Sequence, residues 1–250
     1  MSEPPATMSS TTRITLSISI SLVLLIAAFN GGCSSDPNGA SDVIEFTFDF
    51  NRGPQGFTAG FADYPPANEA IFELTSDHRQ LPPPLESGSA LYISGVNRSD
   101  DLFMFFKRPI EGLSPGQRYG IAVSLEVATD TPAGCVGVGG APGESVWVKA
   151  GVTATEPLPV LSGTYLRMNI DIGRQSSGSD QVVVLGNVAN SRNCEQSRRW
   201  ERKAYPRQQT PAPISIPSDG RAWLCIGVDS GFESRTEIYF TRASVIFTPM

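Results

Sequence analysis

Apolar and polar residues alternate along most of the chain beyond residue 42. Ile44, Phe46, Phe48 and Phe50 alternate with Glu45, Thr47 and Asp49. Tyr119, Ile121, Val123, Leu125 and Val127 alternate with Gly120, Ala122, Ser124 and Glu126. The same period of two runs through 146–152, 166–171 and 222–228. Each such run is a strand with one apolar and one mixed face, the pattern of antiparallel sheets packed on one side. Residues 102–106, LFMFF, are apolar on both faces and predict a central strand. Further strands are expected at 70–74, 90–94, 182–185 and 238–247. No segment of ten residues keeps a 3.6-residue period, so no substantial helix is expected beyond residue 42. The fold class is all-β: a single, jelly-roll-like antiparallel β-sandwich.

Turn chemistry separates the strands, as at Asn51-Arg52-Gly53-Pro54, Ser114-Pro115-Gly116 and Ser218-Asp219-Gly220. Gly 24 and Pro 20 are spread along the 250 residues, which suits many short strands. Two longer loops, 129–145 (Gly-rich) and 186–199, are where a sandwich places function. With no internal repeat or low-complexity linker, 42–250 reads as one domain. The net charge of −6 argues against nucleic acid as a partner, because that affinity rests on neutralising phosphates. The one basic cluster, Arg198, Arg199, Arg202, Lys203 and Arg207, reads as a solvated loop or edge strand.

The leader changes the picture. Arg13 precedes an uncharged apolar run at 14–29, about sixteen residues, short of the ~20 that span a bilayer but right for a signal segment. Asn30-Gly31-Gly32-Cys33 then resembles the lipobox at which bacterial lipoproteins are lipidated and cleaved, departing from it at Asn30, where an aliphatic residue is usual. The expectation is a signal peptide at 1–32, a lipid on Cys33, a flexible tether over 33–41, and a cell-envelope location with the membrane as partner. Outside the cytoplasm disulfides persist. Cys135 and Cys194 both sit in polar loops and are expected to pair, whereas Cys225 lies within an apolar strand and is expected to be a buried thiol.

Two stretches resemble galactose-binding-like and carbohydrate-binding jelly-roll modules: FTFDFNRGPQGFTAGFADY at 46–64 and GLSPGQRYGIAVSLEV at 112–127. NRSDDLFMFFK (97–107), GGAPGESVWVKAG (139–151) and DSGFE (229–233) are similar to a group of uncharacterised secreted bacterial lipoproteins. The first resemblance implies a glycan or polysaccharide ligand and a structural calcium.

Trp147 and Lys149 share the polar face of one strand, and Tyr165, Arg167, Asn169 and Asp171 that of another. Were the two strands neighbours, aromatic rings and hydrogen-bonding groups would meet on one surface, as sugar recognition needs. Trp147, Lys149, Tyr165, Arg167 and Asn169 are therefore the candidate ligand-binding residues. Among the carboxylates Asp100, Asp101, Glu144, Asp171, Asp229 and Glu233, Asp101 and Asp229 are the candidates for calcium. No G-x-S-x-G or C-x-x-C is present and His78 is the one histidine, so no catalytic residue is assigned. The leading expectation is a non-catalytic glycan-binding or surface-interaction lipoprotein. The alternatives are a polysaccharide lyase or hydrolase using Lys149, Tyr165 and Arg167, since WVKAG (147–151) also resembles a strand of jelly-roll alginate lyases, and a structural envelope protein.

Overall fold

The computed structural model describes residues 42–250; the leader, Cys33 and the tether lie outside the described residues. The strands are β1 (Ile44–Asp49), β2 (Thr58–Ala62), β3 (Thr75–Gln80), β4 (Ser89–Val96), β5 (Leu102–Ile110), β6 (Arg118–Thr129), β7 (Val146–Thr153), β8 (Pro159–Ser162), β9 (Tyr165–Met168), β10 (Val182–Asn187), β11 (Glu201–Gln209), β12 (Ile214–Ser215), β13 (Ala222–Ser230) and β14 (Arg235–Pro249). One sheet runs β11-β6-β14-β4-β3, with β1 also on β14 and β12 on β6; the second runs β10-β7-β13-β5-β2. All named strand pairs are antiparallel. The architecture is an all-β sandwich.

The alternation sets the core. Val146, Val148, Ala150 and Val152 of β7, Ile121, Val123, Leu125 and Val127 of β6, and Phe240, Val245 and Phe247 of β14 point between the sheets. β5 is buried on both faces: Leu102, Met104 and Phe106 enter this main core, while Phe103 and Phe105 join a second cluster on the outer side of the sheet.

Two expectations are corrected and one strand is added. Residues 70–74 are not a strand. Pro66–Phe72 forms a 3-10 helical segment in which Phe72 is buried, and Glu73 behind it is left-handed. Two prolines in sequence preset φ there, and Ile71 faces solvent. The alternation at 166–170 builds only the short β9, paired with β8 in a separate two-stranded sheet. An edge strand, β3, went unseen because TSDHRQ is polar throughout. The basic cluster 198–207 runs into β11, which is an edge strand on β6.

Registers fix the ends of the sandwich. Ser230 lies opposite Leu102 and Val146, so the loops at 97–101, 130–145 and 231–234 share one end. Ile44 pairs with Phe247, itself opposite Ile121 near the start of β6, so the chain enters at the other end. Cys135 and Cys194 are joined by a disulfide that ties the two long loops together at the first end, and Cys225 is a buried thiol. Burial pushes that thiol up to about 12, so it is inert as a nucleophile at neutral pH.

Candidate functional site

Between β7 and β10 the chain leaves the sheet for residues 154–181 and folds back over its outer face. Small and flat groups make the landing. Phe103 and Phe105 lie stacked, 5.3 Å between centroids, on the ladder, with Ala62, Cys225 and Val182 beside them, and Ile172 of the excursion closes over this cluster. Gly151 is required: a Cβ there would stand 2.0 Å from the Gln181 carbonyl oxygen. Backbone bonds from Asp63 N–H to Leu166 O (2.7 Å) and Leu166 N–H to Tyr64 O (2.9 Å) anchor β9 to the end of β2. Lys107 reaches up to Glu156 at 2.6 Å.

The second lysine of this face lies deeper. Lys149 follows Val148 on β7, opposite Gly227. Its ammonium donates to Asp229 Oδ2 at 2.7 Å and to the Ile172 carbonyl at 2.9 Å. Both side chains are enclosed, at 0% and 2% exposure. Asp229 Oδ2 also accepts the Gln175 backbone N–H at 3.0 Å. One lysine thus holds the excursion to the sheet by its backbone and by its counter-ion.

Above this pair sits Asp101. Asp101 Oδ1 and Asp229 Oδ1 are both buried, and neither finds a donor among the described residues. Two orphan acceptors side by side are satisfied by one proton held between them, a carboxyl–carboxylate hydrogen bond. Burial, then that bond and the Asp229 and Asp63 charges, push Asp101 up to about 8. Burial also raises Asp63, against the pull of Arg167, which donates from Nη1 to Asp63 Oδ1 at 2.7 Å.

These groups border a cavity of about 770 Å³, lined by Asp63, Asp101, Arg167, Asp171, Arg174 and Gln175 among others. The backbone around it is strained. Asp63 (φ 67°), Asp100 (φ 64°) and Gln175 (φ 37°) take left-handed conformations without being glycine, three of the five such residues described. Strain of this kind is held in place only where the surroundings over-determine it, and it gathers at functional sites. Here Gln175 N–H is held by Asp229 and its side-chain amide by the Asp100 carbonyl at 3.2 Å.

Of the residues singled out in the sequence, Lys149, Arg167, Asp101 and Asp229 come together at this place, and Tyr165 joins them by stacking under the Arg167 guanidinium at 4.7 Å. The expected open aromatic surface does not form. β9 does not pair with β7, and Trp147 lies opposite Asp229 and Asn187, separated from Ala62 at the β2 edge by β13 and β5. Three strand spacings are ~14 Å, so Trp147 and Tyr165 cannot share one sugar ring. Lys149 is a buried ion-pair partner, not a surface contact. Asn169 braces the excursion, accepting from Leu158 N–H and donating to the Glu156 carbonyl.

Asp101 and Asp229 adjoin, as a shared calcium would need, but they do not fit calcium. The cation beside them is the Lys149 ammonium, and among the described residues no three His, Cys, Asp or Glu side chains are grouped to hold a metal. Asp63 and Gln175 were not foreseen. A charge inside WVKAG, with small or apolar neighbours on both faces, was the available signal that Lys149 is buried with a counter-ion.

No known protein family's profile matches the chain, and no curated protein matches it in sequence. Solved structures match the chain at low identity and low TM-score. The carbohydrate-binding module TmCBM27, described for specific mannan recognition, is 11% identical, with 83% of this chain and 99% of that chain covered and a TM-score of 0.40. The family 11 carbohydrate-binding module of the cellulase Lic26A-Cel5E of Clostridium thermocellum is 9% identical, with coverage of 83% and 96% and a TM-score of 0.38. The enzymatically active domain of tailspike protein 4 of bacteriophage CBA120 is 9% identical at a TM-score of 0.28, and this chain spans only 20% of its length.

Proposed function

We propose that the chain is a lipid-anchored, non-catalytic glycan-binding β-sandwich of the cell envelope, with the sugar held in the cavity between Asp63, Asp101 and Arg167. The observation that carries this reading is the convergence of fixed, charge-balanced donors and acceptors on one polar cavity whose backbone is strained into place. Planar carboxyl and guanidinium groups of set orientation suit vicinal hydroxyls, each of which donates and accepts. The anchor rests on the sequence of the leader.

Binding without cleavage is what the spacing favours. Asp101 and Asp229 are within hydrogen-bonding reach, whereas the paired carboxylates of glycosidases stand ~5–9.5 Å apart. Lys149, the base a lyase would want, is sealed beneath them. The test is a glycan array probed with the purified full chain, with and without calcium, alongside Arg167→Gln. Selective binding that Arg167→Gln abolishes supports the reading; no binding above background leaves a structural envelope role. Lipidation is checked by palmitate labelling in a bacterial host, which Cys33→Ser should remove.

A further inference from the structure

We propose that this pocket selects glycans bearing carboxylates, such as chains of uronic acids, with Arg167 and Arg174 reading the acid group. The proposal rests on the glycan-binding reading and narrows its ligand class.

Both arginines line the cavity. Arg167 commits only Nη1, to Asp63, and its other N–H groups bond to no described residue. Its position is nevertheless set, by that bond and by the Tyr165 ring beneath it. The Arg174 side chain makes no hydrogen bond or ion pair with any described residue, yet its root is fixed. Arg174 N–H donates to Ser177 Oγ at 3.2 Å, and its carbonyl accepts from Ser177 N–H and Oγ at 2.7 and 2.9 Å. The guanidinium is a planar fork of five donors that matches a carboxylate in two parallel bonds. Arg167 is thus a held fork with donors to spare, and Arg174 a fork on a fixed backbone with no counter-ion among the described residues; together in the cavity lining they offer an anion more donors than Asp63 takes up.

The neighbouring acids do not close the site to an anion. Asp63 is paired with Arg167, Asp229 with Lys149, and Asp171 Oδ1 accepts the Gly173 N–H at 2.8 Å. Asp101 is neutral when it carries the proton shared with Asp229. Lys149, Arg167 and Arg174 then balance Asp63, Asp171 and Asp229, so the pocket is locally neutral within a chain of net charge −6. The net charge opposes acidic polymers over most of the surface, the basic stretch 198–207 excepted. Asp171 and Ser176 also line a second, separate cavity of about 630 Å³, whose lining holds Asp180 and no cation, so the acid group is read in the first cavity alone.

The test is calorimetry of the full chain with tetrasaccharides of galacturonate, glucuronate and mannuronate, and with the same tetrasaccharides after reduction of their carboxyls to the neutral sugars. At least one acidic tetrasaccharide should bind, about tenfold or more tighter than its reduced form, as expected for charge-assisted bonding to a guanidinium. Its affinity should fall between about 50 and about 300 mM salt, since an exposed pair is screened. Arg174 is exposed, so Arg174→Gln should keep the fold and erase most of the acid-over-neutral preference. Equal binding of acidic and reduced forms, or binding of neutral forms alone, overturns the proposal and leaves the glycan reading standing. If no tetrasaccharide of either kind binds, and the glycan array is also blank, both fall.

Discussion

Lys149→Met is the sharpest perturbation of this site. The substitution keeps the length and apolar stem of the side chain and removes only the ammonium, leaving Asp229 sealed at 2% exposure without its cation. Breaking one partner of a buried pair typically costs ~3–5 kcal/mol. The structure sets a ceiling on this, because the orphaned carboxyl can take a proton from solvent. Holding that proton costs ~1.4 kcal/mol for each pH unit above an ordinary carboxyl pKa of ~3.9, so the deficit is about 4 kcal/mol at pH 7 and about 2 kcal/mol near pH 5.5. The lost bond to the Ile172 carbonyl adds ~1 kcal/mol or more at both values, since that acceptor is then left unpaired. Urea unfolding at the two pH values reads both the size and the trend. Adding Asp229→Asn to Lys149→Met removes the stranded charge and should return at least ~2 kcal/mol at pH 7. A loss under about 1 kcal/mol at pH 7, a loss independent of pH, or no recovery in the double variant would each refute the claim that Lys149 and Asp229 form a desolvated ion pair.

Asp101 makes a second pH prediction. Its folded pKa lies above the ordinary 3.8, at about 8, so its contribution is fully present below 3.8 and is lost as pH rises towards 8. That gives a fall of at most ~1.4 kcal/mol per pH unit, less after solvent screening of a partly exposed group. Asp101→Asn keeps a donor towards Asp229 and should flatten the profile between about pH 5 and about pH 8; parallel urea-midpoint curves for the two proteins would count against the shared proton. Gly151→Ala drives a methyl into the Gln181 carbonyl and should cost ~1–3 kcal/mol, with faster hydrogen exchange over 171–181. Cys135→Ser/Cys194→Ser opens a bridge of sequence separation 59 and should lower stability by at most about 4 kcal/mol, read by urea unfolding with and without reductant.

The sandwich was legible because its core strands are one-sided. The inward residues of β6, β7, β13 and β14 are apolar except for Thr129, Ser230 and Thr236 at strand ends, so the period is plain. Where an element is an edge, as β3 and β11 are, its residues answer to solvent and carry no alternation. The site was half legible. Lys149, Arg167, Asp101 and Asp229 were visible as chemistry, but their meeting depends on the 154–181 excursion, whose polar, turn-rich stretch DIGRQSSGSD has no period that says where it lands. Gln175 matters through left-handed backbone and a single N–H, which leave no mark in residue type, and the Asp63 carboxylate gains its role only by meeting Arg167 across 104 positions of sequence.

The folded body begins and ends at one pole of the sandwich, and the Asp101 side of the cavity lies at the other. Strand β1 begins beside Phe247, and Met250 donates its N–H to the Arg118 carbonyl, so the start and finish of the folded body leave from the same side. A body built this way can be mounted on a lipid, a stalk or a larger polypeptide without blocking its own cavity. Reporter proteins or beads attached through either terminus should therefore leave ligand capture intact.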